Sequence, residues 1–484
     1  MKKFKKIMAV VAAMAMTAAM SFTTMAASIT INSTADDAQT EKNETEYTYY
    51  QILKADTSTF TVGEDGKQAA GENVTYYVDN ETLANALPTT IFNVTRVSGE
   101  NRWNVEAKAE YTAQDVLNAV NVETVKNAVT TKGTFKMGTD KKAVADNLVP
   151  GYYLVLSSNG TNAVLQTLAD VTIDEKNTYP TIDKNITGEN GKDIKATKAD
   201  DVNIGDKVTY TVPVSIPANV AEKEIVITDR MFKGLTLDTI LKDDQNLNLS
   251  FSAAAVDGDY NIYTITIPAD KVLALKGKTV TFTYQATLND QAVINGDNKN
   301  FVKLQYDNYT TKEHEVTTQT HKVEVDKRVG ADKTAAKLAG VKFTLTRDNN
   351  GTTEYYQAKK DDASVWTTTS TEFTTDDKNN IVFDGLDAGT YTLTETFTPA
   401  GYNPLSAPIT VTVAEDGTVT YTSTDLHNTA NNQSAESGVI KVINVTGSTL
   451  PSTGGMGTTI LYVAGAILVI AGAAVLVIKK RHEA

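Results

Sequence analysis

The chain has 484 residues, no cysteine, four histidines, and 45 basic against 59 acidic side chains, for a formal net charge of −14. That balance repels nucleic acid and anionic lipid and excludes a nucleic-acid-binding role. Without cysteine there are no disulfide staples, and with no HExxH, GxSxG or phosphate-loop spacing the sequence argues against an enzyme, so neither cofactor nor metal is expected.

Lys2, Lys3, Lys5 and Lys6 precede an apolar run, IMAVVAAMAMTAAM (7–20), and small residues at Ala26 and Ala27. This is the layout of a secretory signal peptide over 1–27. Residues 28–177 then mix strand patterns (TYYQIL, 48–53; GYYLVLS, 151–157) with a helical stretch at 112–129. In that stretch Val116 and Val120 recur at helical spacing after a Thr112 cap, which predicts an α+β or decorated-sandwich domain. Lys54 lies in one of the predicted strands, but no partner for it stands out.

From 178 onward the pattern is nearly all strand. VTYTVPVSI (208–216), TVTFTYQATL (279–288), VKFTLT (341–346), YTLTETF (391–397) and ITVTVAEDGTVTYTST (409–424) alternate apolar and Thr-type residues. Alternation with period two, broken by turn signals, predicts antiparallel sandwiches over 178–320 and 321–446. The expected fold class is therefore mainly β, with tandem immunoglobulin-like sandwiches after a first domain that carries some helix.

The last segment, 447–484, begins with a linker into LPSTGG (450–455). An uncharged stretch, 458–478, follows and is long enough for one transmembrane helix. Lys479, Lys480 and Arg481 close it, a cluster that stays cytoplasmic and leaves the preceding chain outside. Pro451 keeps the LPSTG backbone extended, suited to a protease-like groove.

LPSTG, followed by an apolar span and a basic tail, resembles the LPxTG sorting signal of Gram-positive surface proteins. The resemblance implies recognition of Leu450, Pro451, Ser452, Thr453 and Gly454 by a sortase. The enzyme's cysteine attacks the Thr453 carbonyl, releases the chain from Gly454 onward and passes Thr453 to an amine. If the amine belongs to wall precursor, the product is a solitary protein on peptidoglycan; if it is a lysine of another copy, the copies polymerise.

Over nearly its whole length the chain resembles the backbone pilins of sortase-assembled pili. The first domain of those pilins ends in a motif of the form VxVYPKN, whose lysine is the acceptor. Here VTIDEKN (171–177) stands at that place, pointing to Lys176, although Asp174-Glu175 replaces Tyr-Pro and Tyr179-Pro180 follows three residues later. The partners implied are sortase, further copies of the chain, minor pilins and peptidoglycan. A solitary wall-anchored adhesin or a minor pilin is the alternative.

The same family closes its sandwiches with Lys-Asn isopeptide bonds beside a catalytic Asp or Glu. A lysine can attack an amide only when neutral, and burial lowers its pKa. In 321–446 the resemblance is to collagen-adhesin B-type domains: Lys327 in VEVDKRV, the E-box YTLTETFTPAGY through Tyr391, Glu395, Pro399, Gly401 and Tyr402, and Asn444 in VIKVINV. It implies a Lys327–Asn444 bond assisted by Glu395. In 178–320 the looser A-type resemblance implies Lys184 (TIDKNI), Asp229 (EIVITDRMFKGLTL) and Asn308 (NFVKLQYDN).

Overall fold

The computed structural model describes residues 27–57, 60–62, 68–70, 74–330, 335–425, 433–434, 438–447, 462 and 464–469. The signal peptide up to Ala26, the LPSTG motif and most of the expected span at 458–478 lie outside them. Among the described residues no helix is long and apolar enough to cross a membrane.

In the first domain the strand Ala27–Asn32 points Ala27, Ile29 and Ile31 inward. It lies between Lys142–Leu148, antiparallel, and Val171–Asp174, parallel, in a three-stranded sheet. This sheet shares a core with Tyr47, Tyr153 and Val155 of a seven-stranded sheet built around Glu46–Thr57 and Gly151–Ser157. A second core unites other side chains of the larger sheet, such as Ile52, Trp103 and Leu154, with short helices.

The helix expected over 112–129 is two helices, Ala113–Ala119 and Val122–Ala128. Thr112 caps the first in a capping box with Asp115, as its position predicts. Val120 is extended (φ −76°, ψ 124°), and the Asn121 side chain accepts the Thr124 N–H at 3.0 Å, so Asn121 starts a new helix. The break lets Val116 and Val120 of one turn system and Val125 and Ala128 of the next all reach the core.

The second domain is a sandwich of a seven-stranded and an eight-stranded sheet. Lys207–Ile216 and Lys278–Leu288 pair along their length in the first, and bury Val208, Tyr210, Val212, Val280, Phe282 and Tyr284 at alternate positions. Ile225–Phe232 and Asn298–Tyr306 pair in the second, burying Ile225, Ile227, Val302 and Leu304 the same way. Each such side chain contributes roughly 1.5–3 kcal/mol when fully buried.

One strand crosses the expected boundary between these two domains. Thr40–Asn43, from the first, pairs with Tyr309–Thr311 and so extends the second domain's eight-stranded sheet. Accordingly, the described residues up to His321 form one compact unit, together with 359–365 and 385–387.

The other compact unit begins at Lys322. Its three-stranded sheet sets His321–Val329 between Ile381–Leu386 and Val439–Asn444, with first and last strands parallel neighbours. Its eight-stranded sheet contains Lys342–Asn349, Gly389–Phe397 and Ile409–Val413 in antiparallel order.

Candidate functional site

Among the described residues, Lys184 and Lys327 are the buried lysines, 0% and 2% exposed, and each sandwich holds one. Such burial requires partners, since an isolated ammonium in an apolar core is costly. An asparagine and an acidic side chain stand at both, the acid touching the amine directly at Lys184 and the asparagine at Lys327.

Lys184 lies just after the short Thr181–Ile182 strand and reaches across to the opposite sheet. Its Nζ is 2.7 Å from Asp229 Oδ2 and 2.5 Å from Asn300 Oδ1, and both partners are buried. The Tyr284 hydroxyl donates to Asp229 and accepts from Asn300 Nδ2 at 3.2 Å. The rings of Tyr210 and Tyr284 flank the amine at 5.3 and 5.4 Å. Burial pushes the Lys184 amine down to about 8, against the opposing pull of the Asp229 charge. Burial, and then that same charge, push the Tyr284 hydroxyl well up, so it remains a donor.

The asparagine expected here was Asn308, and the structure places it elsewhere. Asn308 is exposed in the turn after Asn298–Tyr306, where Asp307 has φ 49° and the Asn308 carbonyl accepts the Glu44 N–H at 3.0 Å. Asn300 lies inside the strand, on the face that Val302 and Leu304 give to the core. Of the expected trio, the structure brings Lys184 and Asp229 together, and Asn300 takes the third place.

In the third domain Lys327, Glu395 and Asn444 come together. Lys327 Nζ donates to Asn444 Oδ1 at 2.6 Å, and Asn444 Nδ2 donates to Glu395 Oε1 at 2.9 Å. Thr398 Oγ1 donates to the same Glu395 oxygen. Lys327 and Asn444 sit on adjacent parallel strands, while Glu395 comes from the other sheet. Burial pushes the Lys327 amine down to about 8, with the Glu395 charge opposing.

Lys176 contrasts with both. It is exposed, and its neighbours Glu175 and Asn177 are buried. The first domain buries no lysine among its described residues, and Lys54 is a half-exposed partner of Asp79 at 2.5 Å. The buried polar groups around Lys176 were not visible in the sequence. Their signal was the very Asp-Glu that departs from the Tyr-Pro pattern.

Comparison with known families matches residues 321–427 to the SpaA prealbumin-like fold domain and 443–484 to the LPXTG cell wall anchor motif. This is a wall-anchored surface protein of the Gram-positive type. By sequence, no curated protein matches it. Solved structures similar to this wall-anchored protein include the major pilin SpaA from Corynebacterium diphtheriae, at 13% identity over 87% of this chain and 100% of that one, TM-score 0.48. The T6 backbone pilin of serotype M6 Streptococcus pyogenes matches at 14% identity over 87% and 99%, TM-score 0.47. The group B streptococcus pilus 2b backbone protein matches at 23% identity over 56% and 99%, TM-score 0.38.

Proposed function

We propose that this surface protein is the repeating structural subunit of a covalent pilus. Sortase joins Thr453 of one copy to Lys176 of the next, and the last copy is joined to peptidoglycan. The observation that carries this reading is the pair of buried Lys-Asn-carboxyl clusters, one in each sandwich, which suit a load-bearing shaft. The exposed Lys176 at the end of the first domain supplies an amine that an external enzyme can reach. Minor pilins are further partners of the same sortase chemistry.

Each cluster acts once on itself. The lysine Nζ attacks the asparagine Cγ, a C–N bond forms, the carboxamide nitrogen leaves as ammonia, and nothing is oxidised or reduced. The acidic side chain takes the lysine proton, becomes a neutral acid and donates to the amide oxygen, where negative charge develops. Asp229, bonded to the Lys184 amine, does this for Asn300; Glu395, which accepts from the Asn444 carboxamide, does it for Lys327 once that carboxamide turns its oxygen toward the acid.

The reactive state of each pair, neutral amine with neutral acid, holds one proton, as does the ion pair from which it forms. Cross-linking of newly folded chain is therefore expected to be level just below about pH 8 and to fall above it, by about tenfold per pH unit, as the proton of the pair is lost. Cell-free synthesis at set pH, quenched and followed by intact mass, reads this directly. A rate that climbed through pH 8 would instead mean that amine deprotonation alone limits the step and that the carboxyl is not the acid.

The function is tested in sortase-expressing cells. Wild-type chain should give a ladder of covalent multimers, and Lys176→Ala should give wall-anchored monomer alone. A ladder undiminished in Lys176→Ala would refute Lys176 as acceptor, and monomer alone from wild type would leave a solitary surface protein.

A further inference from the structure

The segment that carries Lys176 is fixed by polar contacts of an unusual density. Beyond the Val171–Asp174 strand the alternation continues, with Glu175 and Asn177 buried and Asp174, Lys176 and Thr178 exposed. The Glu175 N–H donates to the Asn32 carbonyl at 2.9 Å. Its carboxyl group accepts five donors. Ser33 Oγ and the Thr34 N–H reach Oε1, both at 2.8 Å. Tyr47 and Tyr179 hydroxyls, both at 2.7 Å, and Asn177 Nδ2, at 2.9 Å, reach Oε2. Burial first and the Glu175 charge second push both tyrosine hydroxyls up, which keeps them protonated and donating.

The donors come from separated parts of the chain. Tyr47 belongs to the first domain's large sheet, Ser33 and Thr34 follow its first strand, and Tyr179 leads into the second domain. The Tyr179 ring stacks on Tyr309 with centroids 4.3 Å apart, and its hydroxyl accepts from Asn43 Nδ2 at 3.0 Å. Asn177, on the other side of Lys176, accepts from Thr161 Oγ1. A buried carboxylate is an expensive fastener, and apolar side chains could close a strand end at lower cost. What five convergent donors add over apolar packing is direction: they fix the backbone on both sides of Lys176 in one orientation.

We infer that Glu175 is the positioning residue of the acceptor lysine, holding Lys176 outward where the enzyme-bound Thr453 carbonyl of another copy can meet it. This rests on the reading of Lys176 as acceptor. Glu175 thus supplies a polar anchor where the motif form VxVYPKN has proline, while Tyr179 brings a tyrosine hydroxyl to the same cluster from three residues beyond Lys176. Glu175 touches no reacting atom and acts only through the backbone of Lys176. Orientation of a reacting group commonly accounts for rate factors of about tenfold or more.

The test uses the full chain in sortase-expressing cells and reads the ratio of multimer to wall-anchored monomer, with the ammonia deficit of the monomer as a check that both sandwiches have folded. Glu175→Ala should lower the ratio by about tenfold or more, and Glu175→Gln, whose amide N–H meets a donor on whichever side it turns, should recover only part of the loss. A wild-type ratio in either Glu175 variant overturns the inference. Should Glu175→Ala not reach the surface, Tyr179→Phe decides: it keeps the ring on Tyr309 and removes one donor, so a lowered ratio supports positioning and an unchanged one overturns it. Lys176→Ala run alongside separates the two failures, because a ladder in that variant refutes the acceptor reading itself, whereas its absence together with a normal Glu175→Ala ladder refutes positioning alone.

Discussion

Asp229→Ala and Glu395→Ala are each expected to raise the intact mass by one ammonia and to lower the melting transition of the affected sandwich by about 15–20 °C. The size follows from the loops. Lys184 and Asn300 are 116 residues apart, and Lys327 and Asn444 are 117 apart. Closing loops of that length removes about 5 kcal/mol of denatured-state entropy in the chain-entropy account. For domains of this size that converts to the shift given. Glu395→Gln serves as a control for lost packing, since it keeps the shape and removes the acid. A second signature comes from Asn444→Ala, which has no carboxamide to attack. Its Lys327 stays a free buried amine, at about 8 when folded against 10.5 unfolded. Between those values the unfolded chain binds more protons, so stability should rise with pH from about 8 to 10.5. Calorimetry and intact mass read all of this. A wild-type mass equal to the plain sequence, or a Glu395→Ala transition at the wild-type temperature, would remove the cross-links from the account.

The legible parts of the chain were those where local pattern and burial coincide. Alternation in 208–216 and 279–288 predicts the two inward-facing strands that hold Tyr210 and Tyr284, and an acidic residue on the apolar face of 391–397 marks Glu395. Asn300 and Asn308 fall at the same parity along NFVKLQYDN. The distinguishing feature is the Asp307-Asn308 pair, which is turn chemistry, whereas an asparagine among Val302, Leu304 and Tyr306 on a core face needs a buried partner. Asn121 hid in the same way, since its capping of Thr124 splits a valine pattern that reads as one helix. The strand Thr40–Asn43 could not be read at all. Its pairing with Tyr309–Thr311 is fixed by contacts far along the chain and not by its own four residues. The Glu175 cluster is of the same kind, because its donors at Ser33, Tyr47, Asn177 and Tyr179 converge only in the fold.

Stretching a single covalent polymer should show no long extension steps from the two sandwiches, and each of Asp229→Ala and Glu395→Ala should restore one step per subunit. Under the proposed linkage, load enters a subunit at Lys176 and leaves at Thr453. It reaches Lys184 almost at once, crosses to Asn300, runs along the chain to Lys327, crosses to Asn444 and passes out to the tail. Residues 185–299 and 328–443 then carry no tension, and the covalent bonds take the load that hydrogen-bonded strands would otherwise bear. Residues 27–175 lie off this path altogether, consistent with a first domain that buries no lysine among its described residues. The longest stretch that remains extensible is 301–326, roughly 90 Å when drawn out. Breaking either link would expose a loop of 116 or 117 residues, on the order of 400 Å of new contour. Force spectroscopy separates the two scales easily. Steps of the longer kind in wild-type polymer would mean that the load passes through the sandwich cores, and steps unchanged in the variants would mean that the clusters at Lys184 and Lys327 are packed polar groups without a covalent bond.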